Sequence, residues 1–286
     1  MLDGIIVKGI GGFYYVKTDK GVFECKARGI FRKKRITPTV GDYVSIEVQG
    51  KKGSIEEIRE RKNSLVRPPV ANIDLLLIVV AAASPEPSLF LIDKMLITAE
   101  KNNIEPVICI NKTDLAQRDD IKRIYASAGY KVISVSAAMD ENTEELKQLI
   151  SGKVTAFAGL SGVGKSTLLG LLTEFEPETG ELSEKISRGK HTTRHVELME
   201  LDGGGYVFDT PGFSSVEIND IKAQELSQYF PEIAEYSNTC RFKGCSHIHE
   251  PDCTVKEKLG QDVISKERYE NYCTLYEELK KIKEFK

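Results

Sequence analysis

The stretch GLSGVGKST, Gly159 to Thr167, fits the pattern G-x-x-x-x-G-K-[ST] and lies between a strand-like run, KVTAFAGL, and a helix-like one, STLLGLLT. That context is what a phosphate-binding loop requires. Glycines let the backbone wrap closely enough for its N–H groups to hold phosphate oxygens. The helix that follows adds positive partial charge at its N-terminus. Gly159, Leu160, Ser161, Gly162, Val163, Gly164, Lys165, Ser166 and Thr167 are therefore candidates for contact with a nucleoside triphosphate. Lys165 is placed to reach the β- and γ-phosphates, and the Ser166 hydroxyl to bind Mg2+. More than half of the 286 residues precede this loop, so the chain ahead of it needs an explanation.

That chain alternates. DLLLIVVAAAS, Asp74 to Ser84, opens as a continuous apolar run of the kind buried parallel strands show. A helix-like stretch follows over 88–102, then the strand EPVICI, the helix RDDIKRIYASAG, the strand YKVISVSA and the helix NTEELKQLI. The alternation predicts a doubly wound α/β domain with a largely parallel sheet. NKTD, Asn111 to Asp114 with Lys112 and Thr113 between, stands at the end of EPVICI. A carboxylate there accepts two hydrogen bonds from guanine, one from N1–H and one from the exocyclic amine. Adenine lacks that pair of donors, so a buried Asp114 would be left unsatisfied by ATP. Asn111 either supports the base from its N7 side or braces the loop, and the Lys112 stem can lie over the ring. SVSA carries Ser136 and Ala137 at the end of the next strand, where the Ala137 N–H is placed to bond guanine O6.

After the phosphate loop, HVELMELDGGGYVFDTPG reads as two strands around a turn at Gly203–Gly205. In DTPG, Asp209 suits Mg2+ through water and the Gly212 N–H suits a γ-phosphate. Thr193 or Thr192, in SRGKHTTRH, completes the Mg2+ shell. These are the parts of a GTPase in rotated order, with NKTD and SVSA ahead of the phosphate loop and the switch pieces behind it. The order implies a circular permutation, which domains tolerate because their termini often lie close together.

Residues 1–68 hold 15 Lys/Arg against 8 Asp/Glu, whereas the remainder holds 25 against 35. Their short β-rich runs, separated by glycines, predict a small antiparallel barrel, first of all an OB-fold. Lys26, Arg28, Arg32, Lys33, Lys34 and Arg35 crowd the segment after the third run, with Phe31 among them. Cations around an aromatic on a small barrel suit nucleic acid; the other reading is a solvated loop on an interaction barrel. RPPVANID, Arg67 to Asp74, reads as a linker because Pro68 and Pro69 interrupt helix and sheet alike.

Near the other end, Cys240, Cys245, His247 and Cys253 form a C-x4-C-x-H-x5-C array. Three thiolates and an imidazole suit a closed tetrahedral Zn2+ site, with His249 a competing ligand and a redox thiol cluster the alternative. A charged helix over about 265–284 follows, with Tyr269, Tyr272, Tyr276, Leu279 and Ile282 on one packing face. No apolar run is long enough to span a bilayer and no signal peptide is evident, so a cytoplasmic protein is expected, with no membrane partner.

The barrel, NKTD, SVSA, GLSGVGKST, GKHTTRH, DTPGF and the Cys/His array occur in one order along the whole chain, and in that order the chain resembles the bacterial small-subunit-dependent GTPases of the RsgA (YjeQ/YloQ) family. The resemblance implies an OB-fold over 1–68, a circularly permuted P-loop GTPase domain over 69–229 and a zinc-binding α-helical module over 230–286. It also implies binding to the 30S subunit and 16S rRNA in late maturation, by a monomer carrying one Zn2+. Hydrolysis of GTP to GDP, stimulated by the subunit, would time release. Phe213 stands where many GTPases place a water-orienting glutamine, and a phenyl ring cannot position water. By resemblance to the family's switch histidine, His191 is the candidate; the other reading has it contact RNA or solvent. A metabolic kinase or ATPase gives no reason for NKTD. A non-enzymatic RNA scaffold gives none for Lys165, Ser166 and Asp209.

Overall fold

The basic N-terminal segment forms β1 (Leu2–Ile10), β2 (Phe13–Thr18), β3 (Gly21–Ala27), β4 (Tyr43–Gln49) and β5 (Lys52–Ile58), with the short helix α1 (Gly29–Lys33) between β3 and β4. The structure, a computed structural model, describes residues 1–66, 68–173, 196–209 and 218–284. His191, Thr192, Thr193, Gly212 and Phe213 lie outside them. After the barrel come β6 (Ser64–Val66), β7 (Pro69–Ala71), β8 (Leu75–Ala81), α2 (Leu89–Lys101), β9 (Glu105–Asn111), α3 (Asp119–Ser127), β10 (Lys131–Ser134), α4 (Thr143–Ile150), β11 (Val154–Ala158) and α5 (Lys165–Leu172). β12 (Glu197–Glu200), β13 (Tyr206–Asp209), a 3-10 helix (Ala223–Tyr229), α6 (Pro231–Ser237), α7 (Thr254–Gly260) and α8 (Lys266–Glu284) complete the described chain. No helix among the described residues is long and apolar enough to cross a membrane.

The described residues form two compact units, neither continuous in sequence. The first takes residues from Met1–Leu77, Asp140–Ala158 and Gly164–Phe213. Its five N-terminal strands run in the order β1-β2-β3-β5-β4, and antiparallel pairing of β1 with β4 closes the barrel. β3 and β5 pair in parallel. This closed five-stranded arrangement is that of an OB-fold. Ile5, Ile6, Val16, Cys25, Val44, Ile46 and Ile55 are buried in it. β5 is not among the runs the sequence reading singles out, because Ile55 is its sole fully buried side chain. Phe31 corrects the sequence reading: it is buried, at 7% exposure, so it serves the core and offers no stacking face. RPPVANID also differs from expectation. Ser64–Val66 and Pro69–Ala71 pair as antiparallel β6 and β7, and Pro69 opens β7, where a missing N–H is tolerated.

The same unit contains the two strands expected around Gly203–Gly205. β13 pairs in parallel with β11 and antiparallel with β12. β12 in turn meets β1 at Glu197 and Lys8, whose side chains form a 2.6 Å ion pair. The barrel is thus joined by hydrogen bonds to the hairpin whose last residue is Asp209.

The second unit takes residues from Ile78–Met139, Gly159–Val163 and Ser214–Lys286. Its strands run β10-β9-β8, with β9 and β10 parallel from Val107↔Lys131 to Ile110↔Ser134. The C-terminal helices share a core with α2: Ile97 is buried with Leu226, Phe230, Ile233, Tyr272, Leu275 and Leu279, and Tyr269, Tyr276 and Ile282 pack against them. The aromatic face of the last helix is a packing face, as its spacing predicts.

Arg268 of α8 sits beneath that core, 1% exposed. Its guanidinium bonds Glu232 of α6 through two nitrogens and Asp93 of α2 through the third. The rings of Phe230, Tyr125 and Tyr130 lie 4.9–5.3 Å from it. Burial opposes its charge, but Asp93 and Glu232 more than offset that and raise its pKa. Burial also raises the Asp93 carboxyl to about 6, against the pull of Arg268 and a hydrogen bond from Asn271. A raised acid pKa favours the protonated folded state. The contribution is therefore fully present below the unfolded pKa and is lost as pH rises through about 6. Compared with Asp93→Asn, the wild type is expected to lose about 1 kcal/mol of unfolding free energy between pH 5 and 7. Urea unfolding at both pH values checks this; parallel stability curves would refute it.

Candidate functional site

Parallel strands deliver their following loops to one edge of the sheet, and that is where the sequence places its base-reading residues. Asn111 ends β9, is 2% exposed, and uses its whole side-chain amide. Its Nδ2 donates to the Val163 carbonyl at 3.0 Å and its Oδ1 accepts the Ala137 N–H at 3.0 Å. Of the two roles open to Asn111, the structure displays the bracing one. The Ala137 N–H, expected to face guanine O6, is directed at Asn111 instead. Lys112 takes a left-handed backbone conformation (φ 64°), and its Nζ donates to the Ser84 and Gly162 carbonyls at 2.6 and 2.7 Å. Its ammonium clamps the phosphate loop and leaves the stem for other contacts. The Thr113 N–H donates to the Val135 carbonyl at 3.2 Å.

Asp114 is exposed rather than buried, so any burial of its carboxylate would have to come from a bound base. Its Oδ1 accepts a hydrogen bond from Ser136 Oγ at 2.6 Å, which orients it. Three short segments, 111–114, 136–137 and 162–163, are therefore fastened to one another in the second unit.

The phosphate loop has the backbone its glycines permit. Gly159 sits at φ 138°, and a Cβ there would stand 2.2 Å from the Val79 carbonyl oxygen. Only glycine fits so close to another backbone. Gly162 and Gly164 also have positive φ (81° and 95°), and Val163 between them is buried. In the first unit, Lys165 opens α5, followed by Ser166 and Thr167, both exposed. Burial lowers the Lys165 pKa, the direction for an ammonium short of solvent, and an anion beside it would restore the charged form. Asp209 ends β13. The Ser166 hydroxyl offers an oxygen ligand of the kind Mg2+ takes.

The Cys/His array gathers at one point. The ligand atoms of Cys240, Cys245, His247 and Cys253 all lie within 4.8 Å of one another. Cys240 Sγ and Cys253 Sγ are 3.8 Å apart, and each is 3.5 Å from His247 Nδ1. Tetrahedral bonds of ~2.3 Å to sulfur and ~2.05 Å to nitrogen predict about 3.8 and 3.6 Å. Spacing and chemistry both fit a metal ion. His249 is exposed and stands outside the cluster. Sequence reasoning missed the supports: Tyr269 and Tyr272 hydroxyls donate to the His247 and Ser246 carbonyls at 2.6 and 2.9 Å, and Glu250 accepts the Ser246 and Ile248 N–H groups. A Glu three residues after a metal-binding histidine is the one local signal that pointed to this loop cap.

The six basic residues of the barrel remain exposed. Lys26 lies 4.8 Å over the Phe13 ring and Arg28 pairs with Glu56 at 2.5 Å. Arg32 and Lys33 close α1, with Lys34 and Arg35 directly after.

Comparison with known proteins gives two family matches. The family profile described as RsgA GTPase matches residues 58–219, and that described as RsgA N-terminal domain matches 3–55. Curated relatives named small ribosomal subunit biogenesis GTPase RsgA include one from Caldanaerobacter subterraneus subsp. tengcongensis, 50% identical over 98% of this chain and 96% of its own. Another, from Ruminiclostridium cellulolyticum, is 52% identical over 99% and 95%. Among solved structures, YloQ, described as a circularly permuted GTPase, superposes with a TM-score of 0.83 at 39% identity, covering 98% of this chain and 96% of its own. YjeQ from Thermotoga maritima gives 0.82 at 38%, covering 97% and 98%.

Stripping the metal with a strong chelator is expected to expose amides across 240–279, because Cys253 and Val255 belong to the core that α8 closes. Hydrogen exchange before and after chelation, beside a metal assay showing one ion per chain, checks this. Unchanged protection would mean the cluster is dispensable to the fold.

Proposed function

The chain belongs to the RsgA GTPase family and hydrolyses GTP in small ribosomal subunit biogenesis; from that premise we propose that it binds the 30S subunit late in maturation and uses hydrolysis to time its own release. The observation that carries the reading is the buried Asn111 amide, which fastens the base-reading loop to the phosphate loop while Asp114 stays exposed for a base. In this reading Asp114 accepts the guanine N1–H and amine, and the Lys112 stem lies along the ring. Ser136 holds the Asp114 carboxylate, and the Ala137 N–H turns from Asn111 to O6. Gly159–Thr167 and the Gly212 N–H hold the phosphates, with Lys165 against the β and γ groups. Ser166, Asp209 and Thr193 would hold Mg2+, which when bound neutralises phosphate charge. Water adds to the γ-phosphorus as its bond to the β–γ bridging oxygen breaks, giving GDP and phosphate.

The three divisions, 1–68, 69–229 and 230–286, act respectively as RNA-binding barrel, GTPase and zinc-stabilised module. Lys26, Arg28, Arg32, Lys33, Lys34 and Arg35 neutralise 16S rRNA phosphates, and Phe31 plays no part in stacking. Zn2+ is the ion that best suits three thiolates and an imidazole. The protein works as a cytoplasmic monomer, where its ribosomal partner resides.

GTP turnover is expected to rise more with purified 30S particles than with 50S or 70S; an equal response to all three would defeat the proposal. His191 supplies the water-orienting group that Phe213 cannot. His191→Ala is expected to lose about 10²-fold or more of the stimulated rate while still binding 30S. Retained stimulation alongside normal binding would remove His191 from that role.

A further inference from the structure

Two lysines of the barrel reach the same neighbouring strand. Lys8 of β1 pairs with Glu197 at 2.6 Å, and Lys17 of β2 pairs with Glu200 at 2.8 Å. The two pairs differ in what lies beyond them. Glu197 is opposite Asp209 in the β12–β13 register, whereas Glu200 is opposite Tyr206, beside the turn. Among the described residues, Glu197 is also the sole residue of β12 in register with β1, where its partner is Lys8. Lys8, Glu197 and Asp209 therefore stand in one row across three strands. A bulge brings Lys8 there. An unbroken strand would put it on the same face as the fully buried Ile6, but the β1–β2 register slips between Ile6 and Lys8.

The hairpin is held fast at its other end. The Gly152 N–H donates to the Gly204 carbonyl at 2.8 Å, and Ser151 Oγ donates to the Gly203 carbonyl at 2.7 Å. A Cβ on Gly205 would stand 2.5 Å from the Lys153 carbonyl oxygen, so the turn packs directly on that backbone. With the turn fixed, a shift of the barrel acts on the hairpin at the end that carries Asp209. We infer that the Lys8–Glu197 pair is the joint through which the barrel positions Asp209, which makes Lys8 a positioning residue for 30S-stimulated hydrolysis. The inference rests on the roles proposed above for Asp209 and the 30S subunit, and it names the coupling between them. Both side chains of the pair are partly exposed, so it adds little to the stability of the fold. Its effect lies in the strand end that it holds.

The test is GTP turnover by the full-length protein, alone and with saturating 30S particles, beside a measurement of 30S binding. Lys8→Met is expected to lower the stimulated kcat about fivefold, with KM, unstimulated turnover and 30S affinity within about twofold of wild type. Glu197→Gln should match it, and the double variant should lose no more than either alone. Lys8→Arg keeps the charge and should keep the stimulated rate. Lys17→Met removes the pair at the fixed end and should retain full stimulation. The joint is overturned by full stimulation in Lys8→Met, by equal losses in Lys8→Met and Lys17→Met, or by additive losses in the double variant. A loss that follows weakened 30S binding or a lowered unfolding midpoint overturns it too. If the wild type is not stimulated by 30S particles, the proposed function fails, and the joint with it.

Discussion

One buried side-chain amide joins segments that the chain order sets 52 residues apart. Asn111 donates to the carbonyl of Val163 and accepts from the N–H of Ala137. Without it, two buried backbone groups would lack partners, at about 1–3 kcal/mol each. The fastening explains how a rotated chain order still holds segments 111–114, 136–137 and 162–163 together. Hydrogen bonds act through space and ignore connectivity, and the ends of parallel strands present their loops at one edge whichever comes first.

Rotation does change which flanking module travels with which half of the machinery. In the first unit, the basic barrel is hydrogen-bonded through β1 and β12 to the hairpin that ends at Asp209. In the second, the Cys/His cluster and α8 share a core with α2. The apolar contacts that bind α8 to α2 and α6 surround one polar group. Arg268 donates directly to two carboxylates, and three aromatic rings lie against it. Breaking such a group leaves an uncompensated buried charge, so it fixes one arrangement of these helices against alternatives.

Much of the site was legible in the residues alone. The phosphate loop announced itself because its glycines answer a steric demand that no other residue meets, as the 2.2 Å approach at Gly159 makes plain. The metal cluster was legible for a similar reason: few residue types bind such an ion, and their spacing fits a tight knuckle. Less legible were elements defined by what they touch. β5 hid because one buried isoleucine carries little pattern, and Phe31 looked like an RNA contact because its neighbours are cations. Pro68 and Pro69 suggested a linker, yet a two-stranded hairpin accommodates them where no N–H is needed.

The sequence by itself determined the residue types: a glycine-rich loop of the phosphate-binding pattern, the NKTD carboxylate at the end of a strand, a Cys3His ligand set, and alternation that pointed to a parallel sheet beside a small barrel. Each follows from local residue types at short spacing, where composition and stereochemistry leave few options. Tertiary structure alone decided the partners. It turned Asn111 into a brace, engaged the Lys112 ammonium with two carbonyls, chose His247 over His249, and buried Arg268 among acids and rings. The physical reason is that burial and pairing are properties of distance in space, and residues 93, 232 and 268 carry no mark in the chain that they will meet.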